Sequence, residues 1–266
     1  MVNKSISFFG LLLAVLVIVV LQFCRTPPTS ERPPVVLRSG DTLFHYTTDA
    51  WGAIVRGDTT QSKIRLLFTG HDFADGTDSI LHLLQQYHIK GYFFFTGDFI
   101  RNFPTEVQAV VNGGHYVGCH SDHHLLYASW EKRDSLLINQ ASWQADLDSN
   151  YAALLPFGIH KASNSVFMAP YEWYNQTIAN WCHAEGLTLI NFTPGLITQA
   201  DYTVPLDKNY RSSVEIVGRT LQQAQNGGLN GAFMLIHIGS SPARTNKLYW
   251  NLGTMIEELQ RMGYRF

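Results

Sequence analysis

Gly91-Tyr92-Phe93-Phe94-Phe95-Thr96-Gly97, then Pro104 to Val111, then Gly113-Gly114-His115-Tyr116-Val117-Gly118-Cys119-His120-Ser121-Asp122-His123-His124 follow one another in the first half of a chain of 266 residues. The first piece is a short aromatic run of strand type. The second has the spacing of an amphipathic helix stopped by two glycines, and His115 to Gly118 reads as the next strand. The second strand therefore ends in a histidine pair. His120 and His124 are four apart, so two imidazoles converge on one ion if the chain turns helically between them, with Ser121 bonding backbone to hold the turn. The C-terminal end of a strand is where β/α barrels carry their active sites.

Working outward, Ile64 to Gly70 is a buried strand type, and His71-Asp72-Phe73-Ala74-Asp75-Gly76 is a loop dense in ligand chemistry. Ser79 to Tyr87 is helical, with Ile80, Leu81, Leu83, Leu84 and Tyr87 on its apolar face. Trp51 to Arg56 reads as an edge strand, in an N-terminal extension over residues 37–62 expected to pack on the barrel of residues 63–266. Downstream, Arg133 to Tyr151 contains a helix, Ser165 to Tyr171 is a strand entering a proline turn, and Trp173 to Gly186 is helical. Leu187 to Phe192 is a strand, Val214 to Gln225 a helix, and Leu252 to Met262 closes the chain. Ala232 to Ile238 is a buried strand carrying His237 near its C-terminal end. Strand and helix alternate throughout, which argues for a parallel α/β sheet or barrel.

Hydrophobic residues make up 45% of the chain and charged residues 15%, enough for one sizeable core, and a net charge of −2 excludes nucleic acid as an expected partner. Cys24, Cys119 and Cys182 form no CxxC pattern, and the last two are expected to be small core residues. Lys4 and the apolar run Ile6 to Leu21 read as a signal peptide or membrane anchor within residues 1–24. Its sixteen residues span about 24 Å as helix, short of the roughly 30 Å hydrocarbon core. Leu21-Gln22-Phe23-Cys24 has the Leu and Cys of a lipobox but a bulky Phe23, so lipidation at Cys24 and an uncleaved anchor both stand. Residues 25–36, with Pro27-Pro28 and Pro33-Pro34, read as an extended tether. The expected location is exported and membrane-attached, periplasmic or at the surface of a bacterium. Nothing reads as a dedicated interface, and a monomer is expected.

From about Lys63 to Phe266 the chain resembles the NodB-type polysaccharide deacetylases, carbohydrate esterases with a distorted (β/α) barrel. The resemblance rests on Gly91 to Gly97 and Gly114 to His124, similar to that family's His-Ser/Thr-x-x-His motif and its lead-in, and on Leu235-Ile236-His237, similar to its closing Leu-His. It implies a divalent metal on His120 and His124, foremost Zn2+ with Co2+, Ni2+ or Mn2+ as alternatives, and His237 as general acid. Two motifs depart. In place of Thr-Phe-Asp-Asp, a strand-to-strand match puts Thr69 and Gly70 where the base and a ligand stand, whereas a match by identity puts Ala74 and Asp75 there. In the third motif Met168 occupies the place of the Arg that orients the base. An Arg has no task once its carboxylate has gone, and alone in a core it is costly.

The expected metal ligands are thus Asp72, His120 and His124, with His71 as a further candidate, and Asp75 is the expected base, Asp72 and Asp75 being interchangeable. Glu172 is a weaker candidate base. Tyr171, through its backbone N–H, is expected by resemblance to stabilise the oxyanion, and Pro170, Trp173 and Trp130 to meet substrate. The reaction expected is metal-assisted removal of N- or O-linked acetyl groups from a cell-envelope or dietary polysaccharide. The alternatives are a glycan-binding barrel without hydrolysis, and a glycosidase pairing Asp72 or Asp75 with Glu172.

Overall fold

The computed structural model describes residues 33–266. The expected signal or anchor segment, Cys24 and most of the tether lie outside the described residues. β1 (Val35–Arg38) and β2 (Asp41–Leu43) form an antiparallel hairpin, so the tether's last two residues are already strand. The chain continues through β3 (Thr47–Thr48), β4 (Ile54–Arg56), β5 (Arg65–Gly70), α1 (Thr77–Gln86), β6 (Tyr92–Phe95), α2 (Gly97–Asn102) and α3 (Pro104–Asn112). β7 (Tyr116–Cys119), α4 (Gln140–Leu154), β8 (Val166–Met168), α5 (Gln176–Ala184), β9 (Thr188–Ile190), α6 (Ser213–Ala224), β10 (Phe233–His237) and α7 (Leu252–Arg261) complete it.

Eight strands form one sheet in the order β10-β5-β6-β7-β8-β9-β4-β3, parallel except for the last pair. The sheet curls until its two sides meet: Arg56 bridges Ala232, and Thr193 takes the carbonyl of Phe233 on its N–H while its hydroxyl donates to Val55 at 2.7 Å. This is the distorted barrel the strand order implies. The N-terminal extension does more than pack on it, because β4 lies beside β9 as a member of the sheet.

Side chains alternate across each strand. Leu67, Tyr92, Phe94, Tyr116, Val166, Met168, Ile190, Phe233 and Leu235 fill the interior, joined by Leu37 and Leu43 of the hairpin. Leu66, Phe68, Phe93, Phe95, Val117, Phe167, Met234 and Ile236 face outward against Ile80, Val107, Trp143, Ile178, Ile216 and Met255 of the helices. Burial on both faces is why these strands read as continuous apolar runs rather than alternating ones. Cys119 and Cys182 are free thiols in this core. Among the described residues no helix is long and apolar enough to cross a membrane.

Candidate active site

The interior register that stacks Leu67 above Arg65 brings Thr69 next to the mouth of the barrel, and Leu235 is followed there by His237, which pairs with Thr69 across β5 and β10. These residues lie at the C-terminal ends of the parallel strands. Around them is an open cleft of 440 Å³ lined by Thr69, His71, Asp72, His120, His124, Trp130, Tyr171, Glu172, Tyr202 and His237 among others. β5 runs unbroken to Gly70, and no carboxylate stands at residues 69 or 70, where the strand-to-strand match would need them. Met168, on β8, is fully buried in the barrel interior.

His120 is buried, and its Nδ1 lies 2.8 Å from the Met168 carbonyl. A carbonyl only accepts, so Nδ1 carries the proton and Nε2 keeps its lone pair, the orientation in which imidazoles serve as ligands. Burial, against the opposing pull of that carbonyl, lowers the His120 pKa to about 3; burial followed by the charges of His120, His71 and His237 lowers that of His124 to about 2. Both rings are therefore neutral at pH 7. His120 and His124 lie 5.1 Å apart by ring centroid, and His71 stacks on His124 at 4.5 Å. In chemistry this neutral, partly anchored imidazole set fits a divalent ion. In aim it is incomplete: stacked rings direct their in-plane lone pairs side by side, and among the described residues no three His, Cys, Asp or Glu side chains converge on one point.

The turn between the two histidines is not the helical one expected. Ser121 and His124 have φ of 73° and 52°, in the left-handed region. What holds the turn is α2, a helix the sequence reading passed over. Thr96 caps it, accepting from Phe99 N–H at 3.0 Å. Gly97 and Asp98 N–H donate to the Ser121 and Asp122 carbonyls at 3.1 Å each, and Arg101 clamps the Asp122 carboxylate at 2.9 Å. A Cβ on Gly97 would meet Asp122 Oδ1 at 1.6 Å. Gly97→Ala is therefore expected to cost about 1–3 kcal/mol and to displace the histidine turn, seen as a lower Tm together with weaker Zn2+ binding by calorimetry.

The two loop carboxylates part company. Asp72 lines the cleft, largely exposed, with Oδ1 3.4 Å from His71 Nε2. Asp75, the expected base, does not line the cleft. Its carboxylate accepts from Ser240 N–H at 2.9 Å and the Tyr249 hydroxyl at 2.7 Å and pairs with Lys247 Nζ at 2.9 Å. Burial raises its pKa, but those donors outweigh burial and hold it below the usual carboxylate value. Asp75 is thus turned from the cleft to tie down the loop after β10, a task for which a stable anion suits better than a proton acceptor.

His237 has a partner that sequence reading missed. Asp201, buried in a short 3-10 turn, accepts from His237 Nδ1 at 2.6 Å and from its backbone N–H at 2.9 Å. Burial lowers the His237 pKa, yet the charge and hydrogen bond of Asp201 outweigh burial and raise it. With Nδ1 engaged by Asp201, the ring leaves Nε2 for the cleft, and the raised pKa favours its protonated form. The one available signal was a buried strand-end histidine in need of an acceptor; nothing in the sequence says that it comes from 36 residues upstream.

Tyr171 and Glu172, at the end of β8, both have left-handed backbone, with φ of 58° and 52°. The Tyr171 ring lies 4.3 Å from His124, and Trp130, which lines the cleft, packs T-shaped with Tyr171 at 5.8 Å. Trp173 is not in the cleft: Arg133 covers its ring at 3.9 Å, and it backs Trp130 at 4.9 Å. Pro170, the first residue of the turn, is buried. Of the expected substrate contacts, only Trp130 lines the cleft, accompanied by Tyr202, whose ring lies 5.0 Å from His237.

The family model for polysaccharide deacetylases matches residues 56–190, from the end of β4 through β9. Peptidoglycan-N-acetylmuramic acid deacetylase PdaA of Bacillus subtilis is 30% identical over 76 residues, 29% of this chain and 29% of that protein. An uncharacterized protein of Geobacillus stearothermophilus is 29% identical over 99 residues, 37% of this chain and 34% of its own. The chain thus aligns with about a third of each relative's length. Among solved structures, Bacillus subtilis PdaA, a family 4 carbohydrate esterase, superposes with a TM-score of 0.65 at 22% identity, covering 80% of this chain and 81% of that one. A pseudoenzyme of the same esterase family from Bacillus anthracis gives 0.63 at 16% identity, covering 82% and 67%. An esterase and a pseudoenzyme share this barrel, so the fold alone does not decide catalysis. With the family match spanning half the chain and ending on the strands that shape the cleft, the chain belongs to the polysaccharide deacetylase family.

Proposed function

We propose that the protein is a metal-dependent hydrolase that removes acetyl groups from a cell-envelope polysaccharide. The observation that carries this reading is the meeting, in one cleft, of the neutral His120 and His124 with His237, whose Nδ1 is bonded to the buried Asp201 and whose pKa that partner raises. A glycan binder has no use for a proton donor beside a ligand pair. His120 and His124, with His71 or Asp72 as the third ligand, would hold a divalent ion, foremost Zn2+, that polarises the acetyl carbonyl and acidifies water. His237 Nε2–H faces the cleft to protonate the leaving amine or alcohol. The left-handed turn at Tyr171 would direct its N–H toward the developing oxyanion, and Trp130 and Tyr202 offer flat faces for sugar rings.

PdaA's action on peptidoglycan supports an envelope substrate, and the basic and apolar N-terminal segment supports export with membrane attachment. The test is elemental analysis of the purified chain alongside acetate release from peptidoglycan fragments and from acetylated chito- and xylo-oligosaccharides. We expect about one divalent ion per chain in the wild type. His120→Ala and His124→Ala should each lose it, with 10–100-fold or greater loss of affinity. One observation favours the binding alternative, the absence of a carboxylate at Thr69; metal bound without acetate release from any of these glycans would select it.

A further inference from the structure

We propose that Glu172 is the proton acceptor of this reaction, a role that rests on the deacetylase reading above. Hydrolysis needs a group to take a proton from water, and Thr69 and Gly70 supply none. Among the described residues two carboxylates line the cleft, Asp72 and Glu172. Asp72 is 68% exposed and leans on His71 Nε2, which suits a ligand or its neighbour better than a base. Glu172 sits on the far side of the mouth, at the end of the strand whose Met168 fills the interior below.

Its backbone is fixed at both ends: its N–H donates to Ala169 at 3.0 Å, and its carbonyl accepts from Asn191 Nδ2 at 3.0 Å. Between these anchors, Tyr171 and Glu172 occupy the left-handed region in succession, which side chains other than glycine enter at a cost. A strained turn that ends in a cleft-facing carboxylate, with no side-chain hydrogen bond among the described residues, is an arrangement for function rather than for stability. Three ionisable groups face it: His237 from β10, and Asp201 and Tyr202 from the turn after β9. Burial raises its pKa to about 7, against the pull of His237 and with the push of Asp201. Near neutrality it is therefore a stronger base than an ordinary carboxylate.

The step balances. An O–H bond of water breaks, and its proton passes to the Glu172 carboxylate. The oxygen pair forms the new bond to the acetyl carbon. The bond from that carbon to nitrogen or oxygen then breaks, the leaving atom takes the His237 Nε2 proton, and acetate departs. Loss of the Glu172 proton and reprotonation of His237 restore the site.

The experiment compares wild type with Glu172→Gln and Glu172→Ala for acetate release against pH, Zn2+ content and Tm, with a carbon-13 glutamate NMR titration of wild type and Glu172→Gln. Both variants should retain Zn2+ and fold while losing about 10²–10⁴-fold in kcat. The acidic limb of the wild-type profile should vanish, and millimolar formate should restore part of the rate to Glu172→Ala. One carboxyl resonance should titrate about two units above the rest and be absent from Glu172→Gln. Activity within a few fold of wild type, or a Glu172 resonance titrating with the ordinary glutamates, would overturn the assignment. If wild type hydrolyses none of the glycans, the deacetylase reading fails by itself, and the NMR titration still decides whether Glu172 is poised as a base.

Discussion

Asp201→Asn is expected to lower acetate release by about 10²–10⁴-fold while leaving Zn2+ content unchanged. The reason is the double acceptance at Asp201: one oxygen takes the His237 Nδ1 proton at 2.6 Å and the other the backbone N–H at 2.9 Å. An amide has one acceptor oxygen. If that oxygen stays on the backbone, an NH2 group faces Nδ1 and forces the neutral imidazole into the opposite tautomer. If it turns to Nδ1, the backbone N–H loses its partner. In either case the negative charge that sustains the imidazolium is gone, and burial then lowers the His237 pKa unopposed by Asp201. In the proposed reaction His237 is the acid, so activity should persist below its pKa and fall as pH rises through it. The alkaline limb of kcat should therefore move to lower pH in Asp201→Asn. A Tm drop with an unmoved alkaline limb would make Asp201 a structural residue only.

That Asp201 had to come from the structure illustrates where sequence reading ends. The strands were legible because a curled sheet buried on both faces forces apolar runs such as Tyr92 to Phe95 and Phe233 to Ile236. Strand ends place His120 and His237 with little ambiguity, since alternation within a strand is rigid. The His120–His124 spacing brings the two rings together although the turn is broken by left-handed backbone at Ser121 and His124 rather than helical; a spacing constrains distance more than path. Loops carry no such periodicity. Asp72 and Asp75 are three apart and chemically alike, but Lys247, Tyr249 and Ser240 capture one of them from the far end of the chain. Asp201 and α2 failed for related reasons: each is defined by a tertiary partner, His237 for one and the Ser121–Asp122 carbonyls for the other.

Asp41→Ala is expected to destabilise the fold by about 3–5 kcal/mol. Asp41 lies at the opposite end of the barrel, on β2, and is 3% exposed. Arg65 approaches it with two nitrogens at 2.7 and 2.6 Å, Lys63 Nζ lies at 2.7 Å, and the Tyr92 hydroxyl donates as well. These contacts fasten the hairpin that plugs the interior to the first residues of β5 and β6. Removing the carboxylate leaves Arg65, itself 6% exposed, as an uncompensated buried cation. At about 2–4 °C per kcal/mol for a domain of this size, Tm should fall by roughly 6–20 °C. Asp41→Leu combined with Arg65→Met should recover most of the loss, because an apolar pair of similar volume needs no desolvated charge. Burial raises the Asp41 pKa, but Arg65, Lys63 and Tyr92 outweigh it and leave the group far below its ordinary 3.8. A depressed carboxylate contributes stability that is present above 3.8 and lost as pH falls toward the folded value. Wild type should therefore lose stability from pH 5 to pH 2 more steeply than the double variant in urea titrations. Parallel acid profiles for the two proteins would show that the hairpin is held by its leucines and not by this ion pair.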